Sequence, residues 1–93
     1  MVTPNEVIGL TTTARPIAGP NKDRTSLAIT NLDPATTVYI TFEPGGTTTG
    51  AIPLYPLSTI IFSKGDGDEP GLAFYGLVGA GTANILTTEQ WGE

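Results

Sequence analysis

Residues 24–43, RTSLAITNLDPATTVYITFE, contain two runs in which apolar and polar side chains alternate. Leu27 and Ile29 share one face of the first run if it is extended, and the second run, TVYITFE, alternates in the same way. The Asp33-Pro34 pair between the runs favours a turn. Two alternating runs joined by so short a turn predict a β-hairpin with one buried face.

Similar short runs, divided by glycine and proline, fill the rest of the chain. Strands are predicted at 6–14, 24–31, 37–43, 57–63, 71–78 and 82–89, and the last two are expected to form a second hairpin. Prolines within 51–56 predict an edge segment or an extended crossing, and the compositions of 15–23 and 64–71 predict loops. The run GLAFYGLV at 71–78 is almost entirely apolar, which predicts a strand covered on both faces.

Six to seven short strands with no sustained helical period predict an all-β fold. This pattern is typical of a β-sandwich or a small barrel. We expect a single two-layer antiparallel β-sandwich of jelly-roll type, because one sheet alone would leave a face of 71–78 uncovered. The chain is expected to form one domain, in which residues 1–23 supply an N-terminal arm and first strand, 24–89 the sandwich and 90–93 a C-terminal tail.

The composition excludes several classes of partner. Charged residues make up 14% of the chain and the net charge is −5, so a nucleic-acid backbone or an anionic membrane surface would be repelled. There is no cysteine, no apolar run long enough for a membrane helix, and no basic and apolar leader after Met1. We therefore expect neither nucleic acid nor membrane as a partner, and synthesis in a cytoplasm.

Catalytic chemistry finds little support in the sequence. Without histidine or cysteine, nucleophilic catalysis is reduced to a Ser63-Lys64 pair, whose side chains would point to opposite faces of a strand. The carboxylates Asp66, Asp68 and Glu69 lie in a glycine-rich turn, where solvation keeps them poor proton donors at neutral pH. We expect no enzyme activity, no catalytic residue and no cofactor.

Two glycine-rich loops are candidate ligand sites. The acidic turn at 65–69 has oxygen ligands of the kind that calcium prefers, but it lacks EF-hand spacing, and the calcium question stays open. The loop at 44–50 lacks the lysine and the following helix of a phosphate-binding loop. We predict no metal site.

The aromatic residues divide between the two faces of the predicted strands. Phe42, Phe62 and Phe74 fall on the apolar phase and are expected in the core. Tyr39 and Tyr75 fall on the opposite phase, so they are expected to point outward or to contact another chain.

The order of these features resembles that of small β-sandwich virion proteins of tailed bacteriophages, notably capsid decoration (cement) proteins. The matching segments span residues 24–89: RTSLAITN (24–31), VYI (38–40), AIPL (51–54), LAFY (72–75) and GTA (81–83) followed by Glu89. Ala51 stands where those proteins carry glycine. The resemblance implies a structural role in the virion and no catalytic site.

We therefore expect a structural virion protein that decorates and stabilises an assembled phage head. Its partner would be the major capsid protein or another virion protein, and it would form a homo-oligomer. The residues expected at protein interfaces are Val2, Val7, Ile8, Leu10, Tyr55 and Trp91. The alternative is a ligand- or receptor-binding module, such as a carbohydrate-binding or fibre domain, with a site formed by loops 44–50 and 64–71 and Tyr39 or Tyr55.

Overall fold

Two antiparallel four-stranded sheets pack face to face in a computed structural model that describes residues 5–19, 24–43, 45–63 and 73–91. The strands are β1 (Asn5–Leu10), β2 (Arg15–Ala18), β3 (Arg24–Asn31), β4 (Val38–Thr41), β5 (Ile52–Leu54), β6 (Thr59–Ser63), β7 (Phe74–Val78) and β8 (Ala83–Trp91). Sheet 1 has the order β1-β8-β3-β6, and sheet 2 has the order β2-β7-β4-β5. The all-β sandwich prediction is confirmed, with eight strands in place of six or seven.

The chain passes between the two sheets at nearly every connection. Among the described strands, β4 and β5 are the only consecutive pair that hydrogen-bond to each other, with Val38 opposite Leu54. Two four-stranded sheets linked in this way have the arrangement of a jelly roll. Both predicted hairpins are therefore wrong, because β3 and β4 lie in different sheets, as do β7 and β8.

The core lies between the sheets and is built from the alternating positions of both. Its buried members are Ile8, Leu10, Ile17, Ala18, Leu27, Ile29, Val38, Ile40, Leu54, Phe74, Val78, Ala83 and Ile85. The prediction that the 71–78 run is covered on both faces is confirmed for its described part. Phe74 and Val78 are buried in the core, and Leu77, on the opposite face of β7, is buried as well. Phe42 corrects the prediction for the phenylalanines: it lies beyond the end of β4 and is 43% exposed, whereas Phe74 is fully buried and Phe62 partly buried.

Strand β2 occupies part of the segment that was predicted as a loop. It pairs with β7 at the edge of sheet 2, and the register shifts between Pro16 and Ala18. Proline has no N–H to donate, so it is tolerated on an edge strand. The prolines that indicated a loop therefore mark an edge strand. Residues 5–19 thus contribute one strand to each sheet, and β1 is part of the sandwich.

Gly76 lets the two sheets approach closely. A Cβ atom at this position would lie 2.9 Å from Cδ1 of the fully buried Leu10. Because the Leu10 side chain is enclosed, we expect Gly76→Ala to lower the free energy of unfolding by about 1–3 kcal/mol through overpacking. Gly79→Ala is the control, since a Cβ there meets nothing within 4 Å. Urea unfolding of both variants checks this, and equal losses would contradict the packing explanation.

The buried amide of Asn31 ties three segments together at the end of β3. Its Nδ2 donates to the carbonyl oxygens of Thr36 (2.7 Å) and Leu54 (3.0 Å), and its Oδ1 accepts from the N–H of Asp33 (2.9 Å). The backbone N–H of Asn31 also donates to Ser58 O. These bonds hold the chain where it leaves β3 and crosses to sheet 2.

Asp33 stabilises the turn that follows β3. Its Oδ1 accepts hydrogen bonds from the N–H groups of Ala35 and Thr36, each at 2.8 Å. These bonds, above all that from Ala35, lower the pKa of Asp33 from its ordinary value of 3.8.

A pH dependence follows from this turn. Because the folded-state pKa of Asp33 is lower than the unfolded one, the carboxylate stabilises the fold above the unfolded value, and this contribution is lost as the pH falls through the folded value. The stability difference between the protein and Asp33→Asn should therefore be constant near neutral pH and shrink in acid. Urea unfolding across this pH range measures it, and a difference that does not change with pH would refute it.

Candidate assembly surface

The outward face of sheet 1 carries no charged side chain among the described residues. Its outward positions follow from the alternation and register of the strands: Val7, Gly9, Ser26, Ala28, Thr30, Thr59, Ile61, Ser63, Asn84, Leu86, Thr88 and Gln90. Hydroxyl groups are paired across strands, as in the 2.8 Å contact between Oγ1 of Thr30 and Oγ1 of Thr59. Loss of charge is a mark of the central part of protein interfaces.

The outward face of sheet 2 is also uncharged within the described part of the chain, and it is more aromatic. It presents Pro16, Tyr39, Thr41, Pro53, Tyr75 and Leu77. Leu77 is buried on this face although it is absent from the core cluster, and its register partner is Tyr39. Tyr39 and Tyr75 are half-buried and face outward, as their phase in the sequence predicts.

The edges of the two sheets differ. Sheet 2 ends in β2 and β5, and each contains a proline, Pro16 or Pro53. Sheet 1 ends in β1 and β6, and neither contains a proline. Edge prolines block the addition of another strand, whereas an apolar edge without proline or lysine favours it. The sequence of β6, TIIFS, also has no charged residue.

The most exposed of the large apolar side chains lie at three places. Val7 (61%) and Ile61 (60%) lie on the two edge strands of sheet 1. Tyr55 (62%) and Leu57 (66%) lie in the connection between β5 and β6. These places coincide with the edges and ends of the sandwich, where contacts with other chains are formed.

The end of the sandwich near Phe42 contains a small pocket. It has a volume of about 360 Å³, is half open, and is lined by Thr41, Phe42, Glu43, Gly45, Gly46, Thr47, Thr49 and Gly50. Phe42 forms one wall and packs against Phe74 and Phe62, with ring centroids 5.1 and 6.3 Å away. Gly46 lies so close to Thr41 that a Cβ would come within 2.6 Å of its side chain.

A buried ion pair joins β3 to β8 near the same end. Nη2 of Arg24 contacts Oε1 of Glu89 and also donates to the carbonyl oxygen of Gly19 (2.7 Å). The Arg24 side chain is almost fully buried and that of Glu89 is about a quarter exposed. This pair removes two charges from the surface and leaves the adjoining faces neutral.

The predicted interface residues fall into three groups. Val7 and Tyr55 are exposed and stay candidates. Ile8 and Leu10 are buried in the core of their own domain, which corrects their assignment, because their side chains face sheet 2 and not a neighbour. Val2 lies outside the described residues, and Trp91 ends β8 opposite Arg24, with a side chain that the structure does not describe.

The sequence reasoning missed three exposed apolar residues, Leu32, Leu57 and Ile61. The exposure of Ile61 was indicated by its position in the alternation, opposite to that of Ile60 and Phe62. The strand that contains it is an edge of sheet 1. Leu57 follows Pro56, and proline is common at the second position of a turn whose third residue has a positive φ. Pro56 therefore indicates that Leu57 lies in a turn at the surface.

The structure does not assemble the alternative ligand site in full. Strand β5 leads from the end of loop 45–50 to the opposite end of the sandwich, and Tyr55 follows it there. Loop 64–71, including the acidic turn at 65–69 considered for calcium, and Lys64 lie outside the described residues. In the part that is described, no three acidic, histidine or cysteine residues group as metal ligands, and no helix that could cross a membrane is found.

Comparison with known proteins gives one similarity. No protein-family model matches the chain, and no curated protein sequence is significantly similar to it. A solved structure from Bacillus endospore appendages, described as a novel family of disulfide-linked pili, is similar in fold, with a TM-score of 0.53. The two share 21% sequence identity, and the match covers 97% of this chain and 86% of the other. At this identity the similarity establishes the β-sandwich fold, and the cysteine-free chain has no means of forming disulfide links.

Proposed function

We propose that this protein is a structural subunit that joins protein chains into a larger assembly through the edges and faces of its sandwich. The observation that carries the proposal is the difference between the sheet edges: both edge strands of sheet 2 contain proline, and neither edge strand of sheet 1 does. Sheet 1 is therefore suited to extension by a strand of a neighbouring chain, and sheet 2 is not.

The side chains at these edges support the same function. Val7 on β1 and Ile61 on β6 are exposed apolar residues next to a face without charge. If β6 of one copy pairs with β1 of the next, sheet 1 continues across the joint, and both side chains gain an apolar cross-strand neighbour on its outward face. Such a contact joins two different surfaces, so it repeats from copy to copy and builds rings or filaments.

Charged variants at the two edges test the pairing. Val7→Lys blocks β1 and Ile61→Lys blocks β6, because lysine on an edge strand opposes strand addition. Each variant alone should form smaller complexes by light scattering than the unmodified protein does under conditions in which it self-associates, because growth through the edges of sheet 1 is lost. Mixed together, the two variants should form edge-paired dimers that do not grow further through sheet 1, because the intact β6 of one variant pairs with the intact β1 of the other.

The control is Ala80→Lys, which adds the same charge in the exposed connection between β7 and β8, outside both edge strands, and should leave self-association unchanged. Circular dichroism and urea unfolding confirm that each variant is folded. Self-association of the two edge variants equal to that of the control would refute edge pairing.

The setting of the assembly is proposed from the sequence. The resemblance to phage decoration proteins supports a place on an assembled capsid, with the major capsid protein as partner, and a homo-oligomer in the virion. Sizing of the purified protein with and without capsid shells tests this setting. Growth of filaments in the absence of any shell would instead favour a fibre or an appendage.

A further inference from the structure

We propose that the turn at residues 55–58 inserts into the pocket lined by residues 41–43, 45–47, 49 and 50 of a second copy, so that copies join end to end. We call these elements the tip and the pocket. The inference rests on the proposed function and adds a second contact to it, along the strands and independent of the sheet edges.

The tip is a strained turn with exposed apolar side chains. The N–H of Ser58 donates to the carbonyl oxygen of Tyr55 (3.1 Å), with Pro56 second and Leu57 third in the turn. Leu57 has φ = 59°, a left-handed conformation that favours glycine or asparagine at this position. Tyr55 and Leu57 are each more than 60% exposed, so the isolated domain gains little from these two side chains. An unfavourable backbone that presents apolar groups to water indicates a binding role.

The tip is also held rigidly. The side-chain amide of Asn31 donates to Leu54 O (3.0 Å) just before the tip, and the backbone N–H of Asn31 donates to Ser58 O (2.9 Å) at its end. Both ends of the turn are thus fixed to the same buried residue. A preorganised element loses less conformational entropy on binding than a mobile loop does.

The pocket lies at the opposite end of the same hairpin. Strand β4 ends at Thr41 next to the pocket, and β5 runs back from Ile52 to Leu54 and leads into the tip. The molecule measures 39 Å along its longest axis, and a nine-residue strand such as β8 spans roughly 30 Å, so the strands follow the long dimension. Contact between tip and pocket therefore stacks copies along this axis.

The two surfaces have complementary chemistry. Phe42 offers an exposed ring that is fixed by Phe62 and Phe74, on which the ring of Tyr55 can stack. Glu43 and the threonine hydroxyl groups around it can accept a hydrogen bond from the phenol. The pocket volume of about 360 Å³ accommodates more than one side chain, so Leu57 can enter beside Tyr55. Among the described residues that line the pocket there is no cation, so a neutral hydrogen-bond donor such as the Tyr55 phenol suits Glu43.

The absence of cysteine makes cross-linking a clean test. Leu57→Cys places a thiol on the tip and Thr47→Cys places one at the pocket. A short bismaleimide should link a mixture of the two single variants into dimers, and should link the double variant into a ladder. The same ladder should form in the Ile61→Lys background, since the contact does not use the sheet edges. A Leu57→Cys/Thr88→Cys double variant, with its second thiol on the outer face of sheet 1, is the control and should give no ladder.

Leu57→Asn separates binding from folding. Asparagine tolerates the left-handed conformation, so the urea midpoint should be unchanged or higher, while end-to-end association falls at least tenfold by sedimentation. Phe42→Ser should weaken the same association. Unchanged association of Leu57→Asn, or no cross-linking between positions 57 and 47, would overturn the inference.

Cross-linking at the sheet edges distinguishes failure of the tip and pocket contact from failure of the proposed function. A Val7→Cys/Ile61→Cys variant that forms a ladder while the tip and pocket thiols do not would retain edge pairing and reject this contact. Failure of both pairs would reject both. Saturable binding of a soluble glycan to the pocket without any self-association would also overturn the inference, because the pocket would then serve a ligand.

Discussion

Asn31→Asp is expected to reduce the free energy of unfolding by about 3–5 kcal/mol, because a buried amide that donates two hydrogen bonds becomes an acceptor. The carboxylate would face the carbonyl oxygens of Thr36 and Leu54 without a proton to share. Since a domain of this size has a total stability of roughly 5–15 kcal/mol, the loss takes a large part of it. Urea unfolding monitored by circular dichroism measures the change.

The matched control is Asn84→Asp, which makes the same substitution at an exposed position of β8. It should change stability by no more than about 0.5 kcal/mol, as surface substitutions usually do. If both variants lose the same amount, the added charge is responsible and not the hydrogen bonds of Asn31. Because Asn31 also fixes the tip, Asn31→Asp should weaken end-to-end association even where the protein is still folded.

Glu89→Gln is expected to destabilise the fold by about 2–3 kcal/mol, since it removes the carboxylate that contacts the almost fully buried guanidinium of Arg24. This value is lower than that for a fully enclosed pair, because the Glu89 side chain is about a quarter exposed and water screens part of the interaction. Equilibrium unfolding in urea measures the loss. Glu43→Gln, at an exposed position, is the control and should have little effect.

The double variant Arg24→Met/Glu89→Leu tests the origin of that loss. Replacing both members of a buried pair with apolar side chains is often neutral, whereas removing one member leaves an uncompensated charge. We expect the double variant to be more stable than Glu89→Gln, although it loses the hydrogen bond to Gly19. A double variant that is less stable than the single one would show that the pair contributes through its own attraction.

The location of the strands could be predicted from alternation alone. In β3, Leu27 and Ile29 lie on the buried face and Ala28 and Thr30 on the outward face, as the period of two requires. Because proline cannot donate to a sheet, the segment that holds Pro53 could be narrowed to an edge strand or an extended crossing, and it forms an edge strand. These properties depend only on residues that are neighbours in the sequence.

The partners of the strands could not be predicted in this way. Hairpins were expected because consecutive strands usually lie side by side, yet β3 is followed by a crossing to sheet 2. That crossing depends on Asn31, whose amide reaches Leu54, a residue 23 positions away in the chain. A side chain whose partners are distant in sequence leaves no local pattern.

The same distinction holds for the surfaces proposed for assembly. The sequence by itself determined that the chain forms β-strands, which residues of each strand share a face, and that histidine and cysteine chemistry is absent, since composition and the period of two are local properties. Only the tertiary structure decided that Ile8 and Leu10 are enclosed while Ile61 and Leu57 are exposed. Exposure depends on which strands form the edges of each sheet and on how the connections cross, and both are set by packing between segments far apart in the chain.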